Sequence, residues 1–222
     1  MKRISIVNGA LKVIALVAVL VGGSAWQGSG VSGVSGVLGY GMQVDAQVLS
    51  AEETAKLGVD TLLQAVEEYK ELYETDRDAY FERIEEVLSS FVDFNMVVGV
   101  VMNRYGGQAS DEQKERFAGI LKSTLTRFYG ASLLSYEGQD LEFLPSSDSG
   151  DDPRGDKIVT MVLRGDGELR LQYQMFINEN DEWKLKNLSL AGINLGRQYF
   201  TQFAALMAQH NNDIDAVLDN WQ

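Results

Sequence analysis

Few residues in this sequence could carry out acid–base, nucleophilic or metal chemistry. The 222 residues include no cysteine and a single histidine, His210. Without cysteine there are no disulfides, thiolate nucleophiles or cysteine metal sites. A Ser-His-Asp triad or a histidine metal site would have to be built around His210. It lies beside Asn211 and Asn212 near the C-terminus, a setting typical of a helix end. We therefore expect no enzyme activity, no metal and no cofactor.

Asp93 is an acid in an apolar context, between Val92 and Phe94. A buried carboxyl group can transfer protons, so an enzyme that uses Asp93 or another carboxylate remains an alternative. Aspartate also caps the N-terminus of helices, and an apolar run follows Asp93 directly. We favour the helix cap.

Two segments resemble ligand-binding motifs but lack the necessary context. Residues 28–33 match the dinucleotide pattern G-x-G-x-x-G, which binds only between a strand and a helix; here it lies in a Gly/Ser-rich run. Residues 148–156 are acidic, but their spacing does not match an EF-hand calcium loop. We predict a solvated loop there, without calcium.

Residues 1–46 predict a segment for export. Three basic residues, Lys2, Arg3 and Lys12, precede an apolar run over residues 13–21, and small residues follow this run. This is the order of a secretory signal peptide. A transmembrane helix needs roughly 20 apolar residues, so we favour a cleaved signal over an uncleaved anchor. Cleavage is expected after residue 25 or residue 46. Residues 47–222 are then long enough for a single domain with its own core.

The charge of this domain excludes some partners. The full chain has a net charge of −13, and residues 1–46 contain three basic residues and one acid. The remainder has 16 basic and 31 acidic residues, a net charge of −15. Such a field repels phosphate backbones and anionic membrane surfaces. We therefore expect no nucleic-acid partner.

Apolar residues spaced three and four apart predict helices at both ends of the domain. The first helices cover residues 51–74, 76–90 and 95–102. Ser110 and Gln113 form a capping-box pattern that opens a long helix reaching Leu133. Two C-terminal helices follow the spacing of Phe200, Phe203, Ala204 and Met207, and of Ile214, Val217, Leu218 and Trp221.

Between these helices the apolar residues alternate, as in strands with one buried face. Strands are predicted at 157–164 and 169–177, joined by a hairpin, then at 183–190, with a further strand at 141–144. Hairpin connections make the sheet antiparallel. The fold class is therefore α+β: an antiparallel sheet of about four strands packed with N- and C-terminal helices.

Several short motifs follow one another in a characteristic order. They are Phe91-Val92-Asp93-Phe94, Ala109-Ser110-Asp111-Glu112-Gln113 with Arg116-Phe117, Tyr129 and Leu133, Tyr136-Glu137-Gly138, Tyr173-Gln174-Met175, Trp183-Lys184-Leu185, Gly192-Ile193-Asn194-Leu195, and Tyr199 with Gln202-Phe203. In this order and spacing they resemble the MlaC, or toluene-tolerance, family of periplasmic phospholipid carriers. The family's Tyr-Arg pair is Tyr199-Phe200 here, so any role of that arginine is lost or moved to Arg197.

The resemblance implies that sheet and helices enclose an apolar cavity for acyl chains. It further implies a monomeric periplasmic shuttle, without enzyme activity, that carries glycerophospholipid. The implied partners are an inner-membrane ABC transporter complex and an outer-membrane lipoprotein complex, in a system that maintains outer-membrane lipid asymmetry.

Apolar residues from three parts of the chain are the candidates for lining this cavity. Ile193 is preferred, because it occupies the family's pocket-facing Gly-Val-Ser position. The full set is Leu121, Leu125, Phe128, Tyr129, Leu133, Val162, Tyr173, Met175, Ile193, Tyr199 and Phe203.

Two other functions are compatible with the same residues. The chain could carry a different lipid, such as a hopanoid, because the sequence does not define the shape of the cavity. It could also be a binding or scaffold module with a filled core, since apolar helix faces serve an ordinary core equally well.

Overall fold

The computed structural model describes residues 49–136, 138–148, 154–165 and 167–221. The predicted export segment 1–46 lies outside them, as does most of the acidic loop. The helices are α1 (Ala51–Tyr69), α2 (Leu72–Thr75), α3 (Arg77–Phe91), α4 (Phe94–Met102), a 3-10 turn (Asn103–Tyr105), α5 (Asp111–Leu133), α6 (Leu195–Gln209) and α7 (Ile214–Asp219). The strands are β1 (Asp140–Asp148), β2 (Lys157–Arg164), β3 (Glu168–Ile177), β4 (Trp183–Leu190) and β5 (Ile193–Asn194).

Short polar side chains begin the helices. Ser110 and Gln113 form the predicted capping box on α5, with hydrogen bonds of 3.0 and 3.1 Å. The Asp93 carboxylate accepts the N–H of Met96 at 2.9 Å and caps α4. His210 is the C-cap residue of α6. The predicted helix 51–74 was too long, since α1 ends at Tyr69 and a separate one-turn helix follows.

The sheet is an antiparallel meander in the order β1-β2-β3-β4-β5. It confirms the predicted α+β class and adds the two-residue β5, which is too short to show periodicity. On β3, Gln174 and Met175 are adjacent, and they pair with Asn187 and Leu185 on β4. Lys186 lies between those two partners, so it is the extra residue of a β-bulge.

Two hydrophobic cores lie side by side. The first packs α1 and α3 against one face of the sheet, where Met161, Leu171 and Tyr173 are buried. The second joins α4, α6 and α7 to the first half of α5 around Phe117 and Phe203.

Helix α5 runs through both cores. Its residue Leu121 belongs to the second core and Leu133 to the first. The Tyr80 hydroxyl of α3 donates to the Gly130 carbonyl of α5 at 2.9 Å, which fixes the end of α5 against the first core. Within the described ranges, no helix has the length and apolar character needed to cross a membrane.

Candidate ligand-binding site

A cavity of about 110 Å³ lies at the seam between the two cores. It is lined by β4, the end of α3, the first turn of α4, the middle of α5 and the first turns of α6. Most of its walls are apolar side chains. The lining residues are Leu88, Val92, Phe94, Val97, Leu125, Tyr129, Leu185, Lys186, Asn187, Leu188, Leu195, Gly196 and Tyr199.

The link between α3 and α4 forms one wall because it is tied to the edge of β4. Val92 makes a parallel bridge with Leu185, and the Asp93 N–H donates to the Leu185 carbonyl at 2.9 Å. The Asp93 carboxylate then starts α4. Asp93 therefore binds the sheet through its backbone N–H. Its side chain starts α4, which leads into the second core.

Asn187 ties α6 to the same strand. Its Oδ1 accepts the Gly196 N–H at 3.0 Å, and its Nδ2 donates to Gln174 and Asn194, each at 3.2 Å. The approach is close: a Cβ on Gly196 would lie 2.5 Å from Val100 Cγ1 and 2.7 Å from Asn187 Oδ1. Only glycine fits where α4, β4 and α6 meet without displacing a neighbour.

Lys186 brings a cation to the lining, but its charge is already paired. Its ammonium lies 2.8 Å from the Asp156 carboxylate, which also accepts a hydrogen bond from Gln174 at 2.7 Å. The Lys186 side chain is only 16% exposed. Asp156 therefore neutralises the positive charge of Lys186 at the cavity wall.

Tyr129 and Tyr199 place two hydroxyl groups in this apolar lining. Tyr129 lies on α5 and Tyr199 on α6, so the two phenols line the cavity from two helices. Burial raises the pKa of both hydroxyls, and for Tyr199 the neighbouring Tyr129 raises it further. Both groups therefore remain protonated hydrogen-bond donors at neutral pH.

A second concavity, of about 520 Å³, also borders the end of α3. This groove lies between α1 and the β3–β4 turn and is bordered by Leu57 and Trp183. Its rim includes Asp181, Glu182 and Lys184. The groove is therefore more polar than the seam cavity.

The family model described as MlaC protein matches residues 57–222. This match covers well over half of the chain. The chain belongs to the MlaC family. The resemblance in its sequence motifs is thereby confirmed.

Two relatives of this MlaC-family chain extend the comparison. The toluene tolerance protein Ttg2D of Pseudomonas putida is 30% identical over 161 residues, which are 72% of this chain and 74% of that protein. A solved structure from Ralstonia solanacearum, described as a phospholipid-binding protein in complex with a phospholipid, shares the fold. Its TM-score is 0.68 at 23% identity, over 77% of this chain and 94% of that one.

Three of the predicted site residues line the seam cavity of this MlaC-family chain: Leu125, Tyr129 and Tyr199. The structure does not bring the other eight to it. Leu121 and Phe203 fill the second core, and Leu133, Tyr173 and Met175 fill the first.

The remaining three predicted residues face other directions. Val162 is buried. It lies on the outer face of the sheet, because it alternates with the inward-facing Met161 and pairs with Glu142 and Arg170. Phe128 is 62% exposed on α5. Ile193, the preferred candidate, is 51% exposed, because it follows a turn whose residues 191 and 192 have positive φ and pairs only with Leu190.

The predicted site residues did not include those at the junctions between helices and strands. Leu88, Val92, Phe94 and Val97 surround the α3–α4 link, and Leu185, Leu188 and Leu195 flank it on β4 and α6. The Phe91–Phe94 motif was the available signal, since it marks this link. Arg197 is exposed on α6 and does not belong to the cavity lining.

Proposed function

We propose that this MlaC-family chain is a non-enzymatic phospholipid carrier that works in the periplasm. The observation that carries this proposal is the apolar cavity at the seam between two separately packed cores. Apolar walls bind acyl chains by the same burial that stabilises a protein core. The phospholipid bound by the Ralstonia solanacearum structure supports the same ligand class.

Loading requires the seam to open. A cavity of about 110 Å³ is smaller than the ~150 Å³ that accommodates benzene in an engineered core. An acyl chain therefore enters as the second core moves away from β4. The contacts that must yield or bend are the Val92–Leu185 bridge and the Asn187–Gly196 hydrogen bond.

The energetics of burial explain why such a carrier needs partners. Each buried methylene contributes about 0.8 kcal/mol. Two chains of ~15 carbons then gain on the order of 20 kcal/mol before the cost of opening. A lipid held in this way leaves slowly unless a partner opens the seam or offers an equally apolar path. The carrier makes the exchange nearly neutral, and no bond is broken.

The proposed partners are an inner-membrane ABC transporter complex and an outer-membrane lipoprotein complex, between which the domain moves phospholipid. This assignment follows the family resemblance. A net charge of −13 for the whole chain favours docking onto basic surfaces of those partners over direct contact with anionic membranes.

Native purification followed by lipid extraction tests the proposal. The exported protein is isolated from the periplasm without detergent, extracted with organic solvent, and the extract is identified by mass spectrometry. We expect phospholipid at about one molecule per chain. A different lipid, such as a hopanoid, would assign another cargo. An empty extract, and no uptake from vesicles, would indicate a scaffold with a filled core.

A further inference from the structure

Lys186 differs from the rest of the seam-cavity lining by its charge. Among the described residues that line the cavity, it alone has a charged side chain. The whole chain has a net charge of −13, and a field of this sign repels an anionic ligand. A lipid that bears a phosphate therefore binds best beside a local cation, and Lys186 supplies one at the cavity wall.

The β-bulge on β4 places Lys186 between two contacts that close the seam. On one side, the Leu185 carbonyl accepts the Asp93 N–H at 2.9 Å. On the other side, the Asn187 side chain accepts the Gly196 N–H at 3.0 Å. Lys186 is the extra residue between them. A lipid that separates the second core from β4 therefore passes next to this side chain.

A polar network positions the Lys186 ammonium before any ligand arrives. The ammonium lies 2.8 Å from one oxygen of Asp156, and Gln174 donates to the other oxygen at 2.7 Å. The centre of the Phe176 ring lies 5.4 Å from the same ammonium. An ammonium has three N–H donors, and within the part of the chain that the structure describes its hydrogen bond is to Asp156. Donors therefore remain for a ligand oxygen.

We propose that Lys186 binds the phosphate of a phospholipid held in the seam cavity and so selects lipids that bear this group. In the empty protein Asp156 neutralises the ammonium. In the loaded protein the ammonium also donates to a phosphate oxygen, which its flexible four-carbon stem can follow. Phosphate recognition rests on the proposed phospholipid-carrier function and names the group that the cavity selects in addition to the acyl chains.

Asp156 has two opposed effects on such a ligand, and these give the test its sign. Its carboxylate holds the ammonium in place, but its negative charge repels a phosphate nearby. Asp156→Asn keeps an acceptor oxygen and removes the charge, so it should strengthen phosphate binding. Lys186→Met keeps an apolar side chain and removes the cation, so it should weaken phosphate binding. A purely structural ion pair would not produce opposite effects from its two partners.

The test compares phosphatidylglycerol with diacylglycerol of identical short acyl chains, each bound to the delipidated exported protein. A hydrogen bond to a charged group corresponds to roughly ten-fold to hundred-fold in a dissociation constant. We expect the wild type to prefer phosphatidylglycerol by roughly ten-fold. Lys186→Met should lose this preference, and Asp156→Asn should increase it.

Lys184→Met is the matched control on the same strand. The Lys184 side chain is 21% exposed, close to the 16% of Lys186. Its ammonium donates to the Ser90 carbonyl at 2.8 Å, and the residue lines the groove beside α1 instead of the seam cavity. This variant should retain the wild-type preference for phosphatidylglycerol.

Inorganic phosphate alone distinguishes a lipid headgroup from a free anion. We expect no binding of inorganic phosphate at the concentrations at which phosphatidylglycerol binds, because the free anion buries no acyl chain. Inorganic phosphate that bound as tightly as the lipid, and only while Lys186 was present, would assign the site to a free anion and overturn the proposal.

The remaining outcomes separate phosphate recognition from the carrier function. Equal binding of both lipids by the wild type, or an undiminished preference in Lys186→Met, overturns phosphate recognition and leaves lipid carriage standing. Binding of neither lipid overturns both. Circular dichroism of each variant shows whether the fold is retained. If Lys186→Met fails to fold, an unchanged or reduced preference in Asp156→Asn still overturns the proposal.

Discussion

The side-chain oxygen of Asn187 accepts the backbone N–H of Gly196 at 3.0 Å. This contact joins β4, which belongs to the first core, to the start of α6, which belongs to the second. It lies in the wall of the seam cavity. The same contact therefore contributes to the packing of the two cores and to the wall of the candidate site.

Gly196→Ala should weaken this junction. The new methyl group would lie 2.5 Å from Val100 Cγ1 and 2.7 Å from Asn187 Oδ1, and such overpacking costs about 1–3 kcal/mol. Urea unfolding measures the change. Gly99→Ala on α4 is the control, because its methyl group would meet no atom within 4 Å. That helical substitution should stabilise the protein by about 0.5–1 kcal/mol. Equal stability changes for both variants would contradict the close packing.

Substitutions of Asp93 distinguish a helix cap from a proton-transfer group. Asp93→Ala removes the acceptor for the Met96 N–H and should lower the free energy of unfolding by about 1 kcal/mol. Asp93→Asn keeps a capping oxygen, so its stability and lipid content should match the wild type. If the asparagine variant lost function while remaining folded, the acidity of Asp93 would be required and the cap would not suffice.

Leu125→Glu should prevent lipid loading. The residue lines the seam cavity, and an unpaired carboxylate among acyl chains costs far more than the ~1.4 kcal/mol that corresponds to ten-fold. The lipid content of purified protein measures the effect. Phe128→Glu is a matched control on the same helix, because Phe128 is 62% exposed. Ile193→Glu is a second control, at 51% exposure. Loss of lipid in the controls, with retention in Leu125→Glu, would place the ligand elsewhere.

Tyr173→Phe should change the dependence of stability on alkaline pH. Burial raises the pKa of the Tyr173 hydroxyl above its ordinary value of 10.0. The unfolded chain therefore loses this proton first, and the stabilising contribution is full below about pH 10 and declines as the pH rises further. Removing the hydroxyl removes this decline. Urea unfolding at pH 8 and pH 11 should show a smaller loss for the variant, and identical losses would contradict the assignment.

The local patterns of the sequence determined most of the fold. Ser110 with Gln113 marked a helix start, and alternation over residues 169–177 marked a strand with one buried face, because both depend on neighbours within a few residues. Strand β5 has two residues, which is too short for any period. Helix starts and strands of this kind could therefore be predicted from the sequence without knowledge of the tertiary structure.

The candidate site was harder to predict, because its position depends on how two cores meet. Apolar periodicity shows that Leu121 and Leu125 face inward, but not that one fills a core while the other lines a cavity. On β2 both Met161 and Val162 are apolar, so the sequence could not tell the inner face from the outer. Tyr129 and Tyr199 were accessible through the family motifs.

The most direct test of the account is to locate the acyl chain itself. A phospholipid with a photoreactive diazirine on one acyl chain is loaded into the wild-type protein, crosslinked by light, and the labelled residues are identified by mass spectrometry. We expect labels on the seam cavity, at Phe94, Val97, Leu125 or Leu188. Labels confined to the groove around Leu57 and Trp183, or to the protein surface, would contradict it.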